Sequence, residues 1–141
     1  MKLKLSLAIL LVLSAPAAAA TVNVTDGWFR ALPGTLPAGG YFNLHNATKN
    51  GIAIVGAQSD GCSTLMMHKS STSGGMSRME MADKIEVPAG GKVSFAPRGL
   101  HLMCMRPTAI MKIGGKVPVV LHLSDGTRLA ATFAVRGASG K

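Results

Sequence analysis

The sequence is poor in acidic and aromatic residues. Only 6 of its 141 residues are Asp or Glu, and aromatic side chains make up 4%. So few carboxylates argue against a hydrolase built on a carboxylate pair and against an oxygen-ligated metal cage. The 15 Lys and Arg residues contain no run of five and no interleaved aromatics, so no nucleic-acid partner is predicted. Such a positive surface can still steer a protein towards an acidic partner or an anionic membrane.

The sequence also lacks an apolar run long enough to cross a membrane. Residues 1–20 begin with Lys2 and Lys4, continue through a mainly apolar run of nine residues from Leu5 to Leu13, and end in alanines after Pro16. This pattern predicts a secretory signal peptide cleaved after residue 20, since a spanning helix needs about 20 apolar residues. An uncleaved anchor is the alternative. Cleavage lowers the formal net charge from +9 to +7 and leaves an exported, periplasmic chain without a membrane span.

Short β-prone segments dominate the rest of the chain. Apolar runs alternate with Gly, Pro, Asn and Asp, and no stretch of ten residues carries a helical apolar stripe. The pattern predicts one all-β domain, a Greek-key β-sandwich over residues 21–136, followed by a flexible tail at 137–141. The predicted strands are 22–30, 39–45, 52–58, 63–68, 76–81, 84–87, 92–96, 100–105, 117–124 and 128–135.

Two chain reversals carry explicit turn chemistry. Asp125-Gly126 separates the last two predicted strands, where Gly tolerates positive φ and Asp can hydrogen-bond to its own turn. The segment from Pro88 to Gly91 suggests a second hairpin between the strands on either side of it.

Methionine is concentrated in one part of the chain. Seven of the eight methionines beyond residue 20 lie in one window, together with His68 and His101. Soft thioethers mixed with imidazoles suit Cu(I), and Met has no thiol to oxidise in an exported protein. Core packing is the competing explanation for some of them, above all for Met81 and for one of Met66 or Met67. The seven are Met66, Met67, Met76, Met79, Met81, Met103 and Met105.

The spacing of four of these residues is specific. His68, Met79, His101 and Met103 follow the pattern H-x10-M-x21-H-x-M without insertion. This pattern resembles that of the periplasmic copper chaperones of the PCu(A)C family. The segments Gly39 to Phe42 with Asn46, Val87 to Gly91 and Gly99 to Met103 and the closing hairpin are also similar to that family, so the resemblance covers most of residues 22–135.

The resemblance implies a cupredoxin-like β-sandwich that binds Cu(I) through His68, Met79, His101 and Met103. It also implies delivery of copper to an acceptor such as cytochrome oxidase subunit II or a Sco-type chaperone, and some family members also bind Cu(II). Met76 is an alternate metal ligand because it lies close to Met79 in sequence. We expect a monomer.

The two cysteines leave three interpretations. Cys62 and Cys104 are an even pair in an exported chain, which favours a disulfide. Closing that loop would stabilise the domain by roughly 3 to 4 kcal/mol. A buried reduced pair and a copper-binding or redox role for Cys104 are the alternatives. Alternation along a strand directs Cys104 away from the side of Met103, towards the interior.

Three functions are compatible with such a site. A copper chaperone that is not an enzyme is the leading hypothesis, and a copper buffering or resistance protein uses the same site chemistry. An electron-transfer cupredoxin needs a thiolate with two His and an axial Met, which the positions of the cysteines do not supply. The sequence has no nucleophile elbow, phosphate-binding glycine loop or His-Glu-x-x-His motif, so no catalytic activity is predicted.

Overall fold

Ten β-strands make up the regular structure of residues 21–141. The computed structural model describes residues 21–141, so the predicted signal peptide lies outside the described residues. Within this range no helix could span a membrane. The strands are β1 (Val22–Arg30), β2 (Ala38–Asn46), β3 (Ile52–Gln58), β4 (Cys62–Ser73), β5 (Met76–Met81), β6 (Ile85–Val87), β7 (Lys92–Phe95), β8 (Leu100–Pro107), β9 (Lys116–Leu123) and β10 (Arg128–Arg136).

The strands form a sheet that folds over on itself. Hydrogen-bonded neighbours follow the order β5-β4-β8-β2-β1-β10-β9-β3-β6, and β7 pairs with β2. Within residues 21–141 the pairs are antiparallel except β1 with β10, which are parallel. Strands β3 and β4 contact each other although they lie far apart in that order. The expected all-β, cupredoxin-like sandwich is confirmed.

The core is centred on the four phenylalanines of the chain. Phe133 lies 5.3 Å from Phe29 and 5.7 Å from Phe42, and Phe42 stacks on Phe95 at 4.3 Å between ring centroids. These residues lie on four different strands, and each is buried. Alternate residues of the same strands point outward. The outward-pointing side chains of these strands are therefore available to form a functional site.

One of the two predicted hairpins is present and the other is not. At the β9–β10 turn Gly126 has φ of 85°, and the Thr127 N–H donates to Asp125 Oδ1 at 2.9 Å. The turn from Pro88 to Gly91 also forms, with its 2.8 Å backbone hydrogen bond. However, β6 pairs with β3 and β7 pairs with β2. The prediction of a β6–β7 hairpin is wrong because turn residues determine a reversal of the chain, not the strands on either side of it.

The polar segment before Met76 is a strand and not a loop. Strand β4 continues to Ser73 and pairs with β5 as far as Met76, so that only Gly74 and Gly75 form the turn, both at positive φ. Residues 71–81 are exposed. Because this part of the β4–β5 ladder is exposed on both faces, its sequence shows no apolar alternation. The predicted strand 63–68 therefore ended too early.

The C-terminal residues make defined contacts. The Gly137 N–H donates to the Lys141 carbonyl at 3.0 Å. Gly140 lies beside Trp28, where a Cβ would be 3.4 Å from the indole ring. The segment predicted as a flexible tail thus turns back onto the outer face of β1.

Candidate metal centre

Two histidines meet on strands β4 and β8. His68 and His101 are directly opposite each other in the ladder, and their ring centroids are 5.7 Å apart with planes at 75°. Residues opposite each other in an antiparallel pair project from the same face. Register therefore brings together two imidazoles that are 33 positions apart in the sequence.

The two predicted methionine ligands lie on this same face. Met103 follows His101 at i+2 and so shares its side of β8. Met79 pairs with Ser70, which shares its side of β4 with His68. Met79 is therefore a diagonal neighbour of His68 across the β4–β5 ladder. The structure thus places the four predicted ligands on one outer face of the β5-β4-β8 layer, which we call the metal face.

Two further thioethers on this face lie directly opposite predicted ligands. Met81 is the register partner of His68, and Met66 is the register partner of Met103. Met81 is 61% exposed, so the interpretation of Met81 as a core residue is wrong. Met67 is the methionine of this strand that fills the core, at 4% exposure. The sequence spacing does not single out Met66 or Met81, because their position depends on cross-strand register.

Met76 does not join the group. It pairs with Ser73 beside the turn, three positions from Met79. An odd number of positions along a strand reverses the face, and three residues correspond to about 10 Å. The geometry therefore does not support Met76 as an alternate ligand to the same ion.

The surroundings of the histidines leave ring nitrogens free for a metal. His101 Nδ1 lies 3.0 Å from the Gly99 carbonyl. A carbonyl only accepts, so Nδ1 is the donor and Nε2 is the ring nitrogen that can bind a metal. The Nδ1 atom of His68 is buried without a hydrogen-bond partner. Burial, and then the neighbouring His101, lower the pKa of His68 below its ordinary value. Both effects leave nitrogen lone pairs available to a metal.

The cysteines do not contribute to this face. Cys62 and Cys104 are joined in a disulfide, 42 positions apart in sequence. Cys104 is 0% exposed and points into the core, opposite to its neighbours Met103 and Met105. The bond connects the first residue of β4 to β8. It therefore ties together the two strands that carry the histidines, and it uses both thiols.

The available donors are soft or borderline. Within residues 21–141 no group of three or more His, Cys, Asp or Glu side chains could hold a metal ion. The face instead offers two imidazoles and several thioethers. Thioethers bind Cu(I) readily and bind Ca²⁺, Mg²⁺ and Zn²⁺ poorly. The donor set fits a monovalent copper ion better than a harder cation.

Comparison with known proteins identifies the family. A family described as putative lipoprotein LpqE-like matches residues 22–135. A putative lipoprotein of Leifsonia xyli subsp. xyli is 32% identical over 120 residues, which cover 84% of this chain and 72% of that protein. The chain belongs to the LpqE-like family.

Solved structures agree with this LpqE-like assignment. The Cu(I) form of DR1885 from Deinococcus radiodurans is 27% identical with a TM-score of 0.65, covering 86% of this chain and 81% of that one. The copper-bound PCuAC domain of PmoF2 has a TM-score of 0.69 at 20% identity, covering 86% and 97%. The expected membership of the PCu(A)C family is confirmed.

Proposed function

We propose that this LpqE-like chain is a periplasmic copper chaperone that carries Cu(I) on the outer face of β5-β4-β8. The observation that carries the proposal is the pairing of His68 with His101, with Met79 and Met103 on the same face. Related folds solved with copper support it. The similar protein from Leifsonia xyli is called a lipoprotein, which supports export of this chain.

The chemistry of the donors suits a carrier. Imidazole and thioether are neutral, so they hold a cation less tightly than thiolates would and release no proton when they bind at neutral pH. Met79 is 54% exposed at the outer edge of the layer. A ligand from an acceptor can approach there and replace Met79 while the histidines still hold the ion. Copper then moves by ligand exchange with no change of oxidation state and no catalytic turnover.

The acceptor belongs to the same proposal. A copper site of cytochrome oxidase subunit II, or a Sco-type chaperone, is the acceptor that the PCu(A)C resemblance implies, and the chain would act as a monomer. Copper buffering would use the same face. An electron-transfer role is disfavoured, because a blue-copper centre needs a Cys thiolate and both cysteines are in the disulfide.

An anaerobic titration against a Cu(I)-selective chelator tests the proposal. We expect one Cu(I) per chain, with both nitrogen and sulfur ligands in X-ray absorption. His101→Ala, Met79→Leu and Met103→Leu should each weaken binding about tenfold or more, by analogy with changes next to metal sites. Met81→Leu tests whether the register partner of His68 also contributes.

A matched control separates ligand loss from changes in packing. Met111 packs against the core, and its Cε lies 3.3 Å from where a Cβ at Gly61 would be, just before β4 begins and several residues from His68. Met→Leu nearly conserves volume. Met111→Leu should therefore leave copper affinity unchanged. Equal affinities for the wild type, His101→Ala and Met103→Leu would refute the proposed site.

A further inference from the structure

The metal face continues sideways into a row of register partners. Met66 pairs with Met103 and Met103 with Gly39. Gly39 then pairs with Arg30, and Arg30 with Arg136. The row crosses β4, β8, β2, β1 and β10. Its chain neighbours Phe29, Val135 and Cys104 are buried. Because adjacent residues of a strand point to opposite faces, the row lies on the outer side of the sheet. Two arginines thus share a face with the proposed copper ligands.

Aromatic rings hold these arginines in place. Trp28 and Tyr41 lie 4.7 Å apart between ring centroids. Arg136 Cζ is 4.8 Å from the Trp28 ring, and Arg30 Cζ is 5.5 Å from both the Trp28 and Tyr41 rings. Cation–π contacts at these distances fix a guanidinium without neutralising it. We call Trp28, Arg30, Tyr41 and Arg136 the arginine–aromatic patch.

The patch has positive charge without a counterion. In the described part of the chain the one ion pair is Lys84 with Glu86, so neither Arg30 nor Arg136 contacts a carboxylate there. Arg30 Nε is buried and has no hydrogen-bond partner. Two like charges on neighbouring strands repel, and a buried donor without an acceptor costs free energy. An anion bound at the patch would reduce the repulsion between the two guanidinium groups.

Within the patch, Tyr41 is the residue that lies next to the metal face. Gly39 has no side chain, and a Cβ there would lie 2.6 Å from the Tyr41 hydroxyl. The Tyr41 ring therefore covers Gly39, between Arg30 and Met103. A partner that reaches the arginines would lie over this ring and meet the thioether of Met103 next to it.

We propose that the arginine–aromatic patch binds an acidic segment of the protein that exchanges copper with this chain. Its planar guanidinium forks match a carboxylate in a two-point geometry. Without Lys2 and Lys4 of the predicted signal peptide, the formal net charge is +7 instead of +9. This positive charge would speed the encounter with an acidic partner. The copper part of this inference rests on the proposed function, and the carboxylate binding does not.

The first experiment uses the apo protein, so it does not depend on copper. Trp28 is the single tryptophan of the chain, and its fluorescence reports on the patch directly. The probe is a capped tetraglutamate peptide, compared with capped tetraglutamine at low and moderate salt. We expect tetraglutamate alone to change the fluorescence, with an affinity that falls as salt rises.

Variants identify the residues. Arg30→Gln/Arg136→Gln should weaken tetraglutamate binding about tenfold or more. Arg136→Gln alone should also weaken tetraglutamate binding. Because the Arg136 side chain is exposed, this variant should fold like the wild type. Lys49→Gln/Arg128→Gln removes the same charge at the far ends of the strands and should change binding little. Equal losses in both double variants would overturn the proposal, because binding would then reflect overall charge.

Competitors test the class of partner. Inorganic phosphate, or vesicles of phosphatidylglycerol, should displace tetraglutamate only weakly. Strong displacement by either would overturn the assignment to a protein carboxylate.

The second experiment measures copper transfer. The acceptor probe is a Cu(I)-binding Cys-x-x-Cys peptide with either a tetraglutamate or a tetraglutamine extension. Transfer from the loaded chain should be about tenfold faster to the acidic probe, and Arg30→Gln/Arg136→Gln should abolish that preference. Equal rates to both probes would overturn the link to copper exchange. A chain that binds tetraglutamate but no Cu(I) would refute the proposed function alone.

Discussion

The protonation state of His68 determines how the metal face responds to acid. Its pKa is held below the usual value by burial, and then by the neighbouring His101. A proton and Cu(I) compete for the same imidazole lone pairs. A lowered pKa therefore keeps His68 in its copper-binding form to a lower pH than a free histidine.

We predict that the apo protein loses stability as the pH falls below about 6.5, the ordinary pKa of histidine. In that range the unfolded chain binds a proton at His68 that the folded chain resists, so stability decreases with falling pH. Urea unfolding at pH 7.5 and 5.5 measures the loss. His68→Gln should show a smaller decrease between the two pH values, and an unchanged decrease would contradict the prediction.

Copper affinity should fall over a similar range. Cu(I) competition assays at the same two pH values should show weaker binding at pH 5.5, because His68 takes up a proton there. A site made of thioethers alone would give equal affinities, because a thioether has no proton to exchange in this range.

At the scale of strands, a pattern of apolar runs and turn residues predicts where strands form better than it predicts which strands pair. More and less exposed residues alternate along β9 and β10, and the two strands flank Asp125-Gly126. Both the strands and their pairing could therefore be predicted. The pairing of β6 with β3 could not, because it depends on contacts distant in sequence. The register that places Met81 beside His68 has the same origin. The motif spacing identified four candidate ligands, and the ladder added Met66 and Met81 to their face.

Asn46 organises the chain between β6 and β7. Its side chain is 0% exposed, and its Nδ2 donates to the carbonyls of Asn50 at 2.8 Å and of Val87 and Pro88 at 3.2 Å. This amide joins the end of β2 to the end of β6 and to the turn that follows it, and its Oδ1 accepts from Thr48 at 2.6 Å. It therefore fixes the chain as it passes from the β3 side of the sandwich to the β2 side.

We predict that Asn46→Ala destabilises the protein by about 2 to 3 kcal/mol, because it removes several hydrogen bonds of a buried amide, among them the buried bond to the Val87 carbonyl. Urea unfolding measures the change. Asn43→Ala on the same strand is the matched control, since Asn43 is exposed and hydrogen-bonds at the surface to Asp26 and Ser94. Asn43→Ala should cost less than about 1 kcal/mol. Similar losses in both variants would count against the role assigned to Asn46.

For the whole molecule, the core and the metal face lie on opposite sides of the same strands. Leu102 and Cys104 fill the core while His101 and Met103 belong to the outer face. The disulfide stabilises the sandwich from the inside, and the proposed copper ligands need only the register of β4 with β8 and with β5 to remain intact. Stability and metal binding should therefore be separable by mutation.

Cys62→Ala/Cys104→Ala tests this separation. Alanine avoids placing an unpaired hydroxyl in the core. Loss of a cross-link that spans 42 positions should lower the free energy of unfolding by roughly 3 to 4 kcal/mol in the chain-entropy treatment. The folded variant should still bind one Cu(I) with unchanged nitrogen and sulfur ligation, measured by titration and X-ray absorption. A folded variant that bound copper more weakly would show that the disulfide also sets the geometry of the ligands, since the cross-link joins the strands that carry both histidines.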